Sequence, residues 1–149
     1  MKFSAKGEYG VMAMFVLAMN TGRGPIQLKT IAEKQRIPIK FLEQVMSVLK
    51  KSGFIESIRG SQGGYILAKP SEKIKLGDVI QAIDGPIRPM NCVSEEKSSS
   101  CFQAEDCVFK DVWEEVKLSL LNTLNSVTLK DMCERQRKKD SQKSIMYHI

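Results

Sequence analysis

Cys92, Cys101 and Cys107 fall within one short polar stretch, spaced C-x8-C-x5-C. Thiolate sulfur is a soft donor suited to iron–sulfur clusters and to zinc, and thiols also cycle to disulfides. With neighbours such as Ser98, Ser99 and Ser100, these side chains have no apolar core to fill, so packing does not account for them. The spacing lacks the tight C-x2-C pairs of zinc ribbons and ferredoxins. On spacing alone, a metal or cluster site, a thiol redox switch and inert cysteines all stay open. Cys133 lies apart, on a later helical stretch, and reads as a small buried hydrophobe outside the group.

A second set of residues could read nucleic acid. Leu42, Val45, Val48 and Leu49 recur at helical spacing, and the opposite face carries Lys40, Glu43, Gln44, Ser47, Lys50 and Lys51. A helix fits the DNA major groove, where Glu43 can accept from the cytosine amino group and Gln44 can form two hydrogen bonds with adenine. The lysines suit phosphates, which fix position without specifying sequence. The other use for Glu43 is an i, i+3 ion pair with Lys40. Arg59 stands at the base of a hairpin, where it could enter a narrowed minor groove. Lys29 and Thr30 on the preceding short helix, with Ser61, Gln62, Gly63 and Gly64 in the hairpin loop, complete the candidate DNA-contact set.

These side chains need a frame, and the pattern supplies one. Residues 5–20 read as a first helix that stops before the turn Gly22-Arg23-Gly24-Pro25. Leu28, Ile31 and Ala32 mark a short amphipathic helix, and Pro38 opens the next one, which Gly53 closes. Residues 54–59 and 65–69 are rich in β-branched and aromatic side chains around a glycine-rich loop, the signature of a β-hairpin. Helix, short helix, polar-faced helix and hairpin is the order of a winged helix-turn-helix. Residues 76–84 read as a small helix stopped by Gly85-Pro86. A long helix then carries Val112, Val116, Leu120, Leu121 and Leu124, a stripe suited to packing on a second subunit. Residues 128–135 suggest a short capped helix, and the tail from residue 136 is polar, basic and expected to be disordered.

The bulk properties agree with this frame. The 149 residues are 42% hydrophobic with a formal charge of +6, enough for one ordinary core. Residues 1–75 hold 13 Lys+Arg against 5 Asp+Glu, whereas residues 76–132 hold 5 against 10. A basic half followed by an acidic segment separates a nucleic-acid face from an assembly or sensing region. Four unevenly spaced cysteines exclude a secreted disulfide scaffold, and no apolar run is long enough for a membrane span. The run from Val11 to Met19 is not followed by a small-x-small cleavage site, so a cytoplasmic chain with reduced thiols is expected. No C-x-x-C pair and no suitably placed histidine are present, which argues against a thiol–disulfide enzyme.

Phe41-Leu42-Glu43-Gln44-Val45, the segment from Arg59 to Tyr65, and the three cysteines ahead of Trp113 together resemble the IscR/NsrR family. The resemblance runs from the opening Met1-Lys2-Phe3-Ser4 to Thr128-Leu129 and is closer to the IscR branch than to the NsrR branch. It implies a cytoplasmic, homodimeric winged-helix regulator that binds double-stranded, palindromic operator DNA. It also implies an iron–sulfur cluster, of the 2Fe–2S type, on Cys92, Cys101 and Cys107, and control of cluster-assembly genes. Nitric-oxide or thiol redox sensing is the alternative within the family. The fourth ligand varies. IscR-like members place a histidine three residues after the last cysteine, where this chain has Lys110; NsrR-like members use an acidic residue from the partner's first helix, where it has Glu8.

The expected fold is therefore mainly α with a small β-hairpin: a winged helix-turn-helix over 1–84 and a cysteine loop over 85–107. A long dimerisation helix and a short helix follow over 108–135, then the tail over 136–149. Neither catalysis nor a membrane is expected.

Overall fold

A computed structural model describes residues 2–94, 101 and 106–148. Among these, six α-helices and one two-stranded antiparallel sheet form the chain: α1 (Ala5–Met19), α2 (Leu28–Gln35), α3 (Ile39–Lys51), β1 (Ile55–Ile58), β2 (Gly64–Leu67), α4 (Leu76–Asp84), α5 (Val108–Asn125) and α6 (Leu129–Tyr147). The mainly helical winged-helix fold expected from the sequence is the one observed.

Helix α1 is the hub. Ser4 caps its start by accepting from the Gly7 amide at 2.9 Å, satisfying one of the otherwise unpaired donors of the first turn. Ala13, Met14, Val16, Leu17 and Ala18 are buried against α3, α4 and α6, which explains why this helix is apolar on most sides. Helix α2 ends with Arg36 in the left-handed region, φ 53°, and Pro38 then starts α3. This tight turn sets the two helices of the helix-turn-helix.

Helix α3 buries Leu42, Val45, Met46 and Leu49. Met46 takes the buried place that the sequence pattern gave to Val48, which is half-buried. The wing pairs Ile55 with Leu67 and Ile58 with Gly64. The segment ahead of α2 joins it, because Ile26 and Tyr65 exchange backbone hydrogen bonds of 3.0 and 2.8 Å. That third edge, not evident in the sequence, ties the wing to the helix-turn-helix.

The second half differs from expectation in two ways. The α5 stripe is used partly within the chain: Val116, Leu120, Leu121 and Leu124 are half-buried, and α5 packs on α4. On α5, large apolar side chains facing solvent are Val108 and Phe109, each 72% exposed, Leu118 at 58% and Val112 at 50%. The short helix and disordered tail are corrected to one helix, α6, running to Tyr147. Its start is fixed by a capping box, in which the Asp131 amide donates to Thr128 Oγ1 at 3.1 Å and the Thr128 amide donates to Asp131 Oδ2 at 2.9 Å. Those bonds hold the Asp131 carboxyl below the usual carboxylate range. Leu129 and Cys133 sink into the core, and the helix continues over Lys, Arg, Gln and Glu residues with good helix propensity.

Candidate DNA interface and cysteine-bearing segment

Burial of Leu42, Val45, Met46 and Leu49 turns the other face of α3 outward. Lys40, Glu43, Gln44, Ser47, Lys50 and Lys51 are all exposed on it. Glu43 makes no ion pair with Lys40 among the described residues, so its carboxylate is free to meet a base edge. Lys50 has a further duty: its Nζ donates to Ser57 Oγ on β1 at 2.7 Å, linking the end of α3 to the wing. Lys29 on α2 lies 3.9 Å from Glu33, an exposed i, i+4 pair too weak to hold it from a phosphate. Thr30 beside it is half-buried.

In the wing, Arg59, Ser61 and Gln62 are exposed. Gly63 and Gly64, expected as DNA contacts, also have a structural role. Gly63 is buried with its amide donating to Gly60 O at 3.0 Å, and a Cβ there would overlap the Ile58 carbonyl. Gly64, at φ 148°, lies so close to the Ile26 backbone that a Cβ would collide with it. These two glycines shape the wing by close backbone approach.

Among the cysteines, Cys92 lies in a one-turn 3-10 helix (Asn91–Val93) and is half-buried. Besides its backbone hydrogen bonds, side chains hold that turn: Ser94 Oγ donates to Asn91 O at 2.8 Å, and Lys117 Nζ of α5 donates to Val93 O at 3.3 Å. Cys107 occupies the N-cap position of α5 and is half-buried, and Cys101 is exposed. All four cysteines are free thiols. The donor chemistry fits an iron–sulfur cluster, since the three thiols are reachable and none is spent in a disulfide. Among the described residues, however, no three His, Cys, Asp or Glu side chains are gathered closely enough to hold a metal ion. Cys133 is buried on α6, where burial pushes its thiol pKa up.

Glu8 lies exposed on the first turn of α1. Lys110 is half-buried on the first turn of α5, and His148 is exposed just past α6. Sequence reasoning missed two structural partners, Ser57 and the carboxylate of Asp84 that receives Ser4. Only the Ser4-x-x-Gly7 start of α1 hinted at the second, through its N-cap chemistry.

A helix-turn-helix whose second helix shows a polar, lysine-bearing face, followed by a two-stranded wing, defines a winged-helix DNA-binding protein. The sequence profile of Rrf2, an iron-dependent transcriptional regulator family, matches residues 3–135, and the chain belongs to that family. It is 35% identical to the HTH-type transcriptional regulator IscR of Klebsiella pneumoniae over 136 residues, 91% of this chain and 82% of that protein. Among solved structures, T. potens IscR matches with a TM-score of 0.76 at 43% identity, covering 91% of this chain and 88% of that one. CymR of B. subtilis, described as its global cysteine regulator, matches with the same TM-score of 0.76 at 33% identity over 91% and 98% of the two chains. The protein is a transcriptional regulator that binds DNA. Among the described residues, no helix is long and apolar enough to cross a membrane.

Proposed function

We propose that the chain is a cluster-sensing regulator of iron–sulfur assembly genes, a repressor or dual regulator acting as a cytoplasmic homodimer on a palindromic operator. The observation that carries this reading is the set of three free, reachable thiols, Cys92, Cys101 and Cys107, on a chain similar to IscR proteins. These residues would hold a 2Fe–2S cluster, with Glu8 of a second subunit as the remaining ligand. The cluster would supply an oxygen- and iron-responsive ligand whose gain or loss changes the state of the segment that holds it.

The chain's own residues do the reading. Glu43 and Gln44 select bases from the outward face of α3, while Lys29, Lys40, Lys50 and Lys51 set its register on phosphates. Arg59, Ser61 and Gln62 present the wing to the adjoining groove. The exposed Val108, Phe109, Leu118 and Val112 on α5 supply an apolar surface for the second subunit. Symmetry in such a dimer is matched by symmetry in its operator.

Purification without oxygen, followed by absorbance and electron-paramagnetic-resonance spectra with iron and sulfide counts per chain, tests the proposal. A brown protein with matching iron and sulfide supports it; a colourless, iron-free one overturns it. The likeness to CymR at the same TM-score, with an oxidized form of CymR among the matching structures, supports a second reading, a thiol redox regulator. That reading expects colourless protein whose DNA affinity changes with thiol oxidation.

A further inference from the structure

Ser4 and Asp84, 80 positions apart in sequence, meet at the start of α1. The Ser4 amide donates to Asp84 Oδ2 at 2.9 Å, and the Ser4 hydroxyl donates to the other carboxylate oxygen. Ser4 Oγ also accepts from Gly7. A helix cap needs only that last bond. Here the cap is itself held by a carboxylate, which the positive end of α1 favours.

The space around the pair is made for it. A Cβ on Gly7 would stand 2.6 Å from Asp84 Oδ2, so glycine lets the carboxylate reach the first turn. One turn on, a Cβ on Gly10 would overlap the Ile83 side chain, so α1 and α4 lie in close contact over both positions. Asp84 is the last residue of α4, and Gly85 at φ 81° then turns the chain toward the cysteines. Lys2 and Phe3 line a cleft of about 140 Å³ with Pro86 and Ile87, placing the chain's beginning against the root of that segment. Ile87 and Val93 are buried, so Cys92 sits on a stretch anchored at both of these points.

We infer that Asp84 is a positioning residue, which through Ser4 holds the Glu8-bearing first turn of α1 and the root of the cysteine segment together as one unit. The inference deepens the cluster-sensing reading and takes from it the roles of Cys92 and Glu8; the joint itself is independent of what the cysteines hold. Its loss should free both sides at once, whereas loss of a simple cap would loosen α1 alone.

The test uses the full chain, stripped of iron by a chelator without oxygen. Alkylation of Cys92 and Cys133 by iodoacetamide is timed, alongside hydrogen exchange in peptides covering residues 4–12 and 85–92. Ser4→Ala and Asp84→Ala are expected to speed Cys92 alkylation and exchange in both peptides about tenfold, the scale of one lost charge-assisted hydrogen bond. Ser4→Thr, which keeps the hydroxyl, should restore both. Cys133, buried in the core, should alkylate at the wild-type rate. Faster exchange in residues 4–12 with unchanged Cys92 overturns the inference, leaving Ser4 as a cap only. Acceleration of Cys133 together with Cys92 also overturns it, because the variants would then have loosened the whole fold. Iron and sulfide counts on untreated wild-type protein decide the cluster reading separately.

Discussion

The ammonium of Lys50, at the end of the reading helix, donates to the hydroxyl of Ser57 on the first wing strand at 2.7 Å. One side chain thus braces the wing against the helix and, in the proposed DNA-binding role, would also meet a phosphate. Two substitutions separate these duties. Lys50→Gln should weaken DNA binding and reduce the log–log salt slope by about 0.9, the value of one lost phosphate contact. Ser57→Ala should weaken binding while leaving the slope unchanged, since no charge is lost. Anisotropy titrations of a labelled operator across several salt concentrations measure both.

Glu43 stands exposed and, among the described residues, without an ion pair on a face otherwise rich in lysine. An acidic group there repels phosphate, so its expected return is base selection. Glu43→Ala should broaden the set of operators bound, with a change of about 1–3 kcal/mol at the base it meets. Binding selections over randomised operators measure this. A uniform loss of affinity across all sequences would assign Glu43 a structural role instead.

Single replacement of Cys92, Cys101 or Cys107 by Ala should abolish stable cluster binding, because each removes one of the three thiolates available. Cys133→Ala should leave the cluster in place, its sulfur being enclosed between α6 and the core. Iron and sulfide counts on the four variants provide the comparison. Full cluster content in any of the three loop variants would refute that ligand.

Glu8 is exposed on the first turn of α1 and is therefore available to a second subunit. A carboxylate is a harder donor than a thiolate, so a cluster held by it should be more easily lost. Glu8→Ala should alter the spectrum and shorten the cluster's lifetime, and Glu8→Cys should lengthen it. Absorbance decay in air follows both variants. Unchanged spectra and lifetimes in both would remove Glu8 from the ligand set.

Cys133 adds a pH dependence of its own. Burial favours its neutral thiol, so the folded pKa lies above the unfolded value of about 8.5. The unfolded chain therefore releases this proton first as pH rises. Stability from the buried thiol is fully present below about pH 8.5 and is lost as pH climbs through the folded pKa. Thermal melts between pH 7 and pH 10.5 should show wild-type protein losing stability more steeply than Cys133→Ala at the upper end.

The reading helix was legible because burying one face of a helix leaves a regular pattern, and the wing because glycines and β-branched residues bracket each other. Substitution of Met46 for Val48 in the core was not legible, since both lie close to the same apolar stripe. Periodicity could not reveal that Gly63 and Gly64 serve close backbone packing, or that Ile26 pairs with Tyr65, because these depend on backbone approach. The Asp84–Ser4 pair joins segments 80 residues apart, beyond any local pattern. Helix α6 was misread as ending early because its second half has no apolar stripe, although its residues favour helix. The cysteines were legible as chemistry, but residues 95–100 and 102–105 of the loop lie outside the described residues, so their spacing alone stands for that part of the site.

The continuity of α6 changes how its last three turns are sustained. Starting a helix is the costly step, since several residues must be fixed for the first hydrogen bond, whereas lengthening one adds a bond for each residue fixed. In α6 the Thr128–Asp131 box and the burial of Leu129 and Cys133 carry out that start within the core. Everything past Arg135 inherits a finished nucleus and extends from it without needing a partner of its own. The chain can therefore end earlier or later along this helix with little consequence for the folded body, which makes its far end a natural place for length to vary or for a tag to be attached.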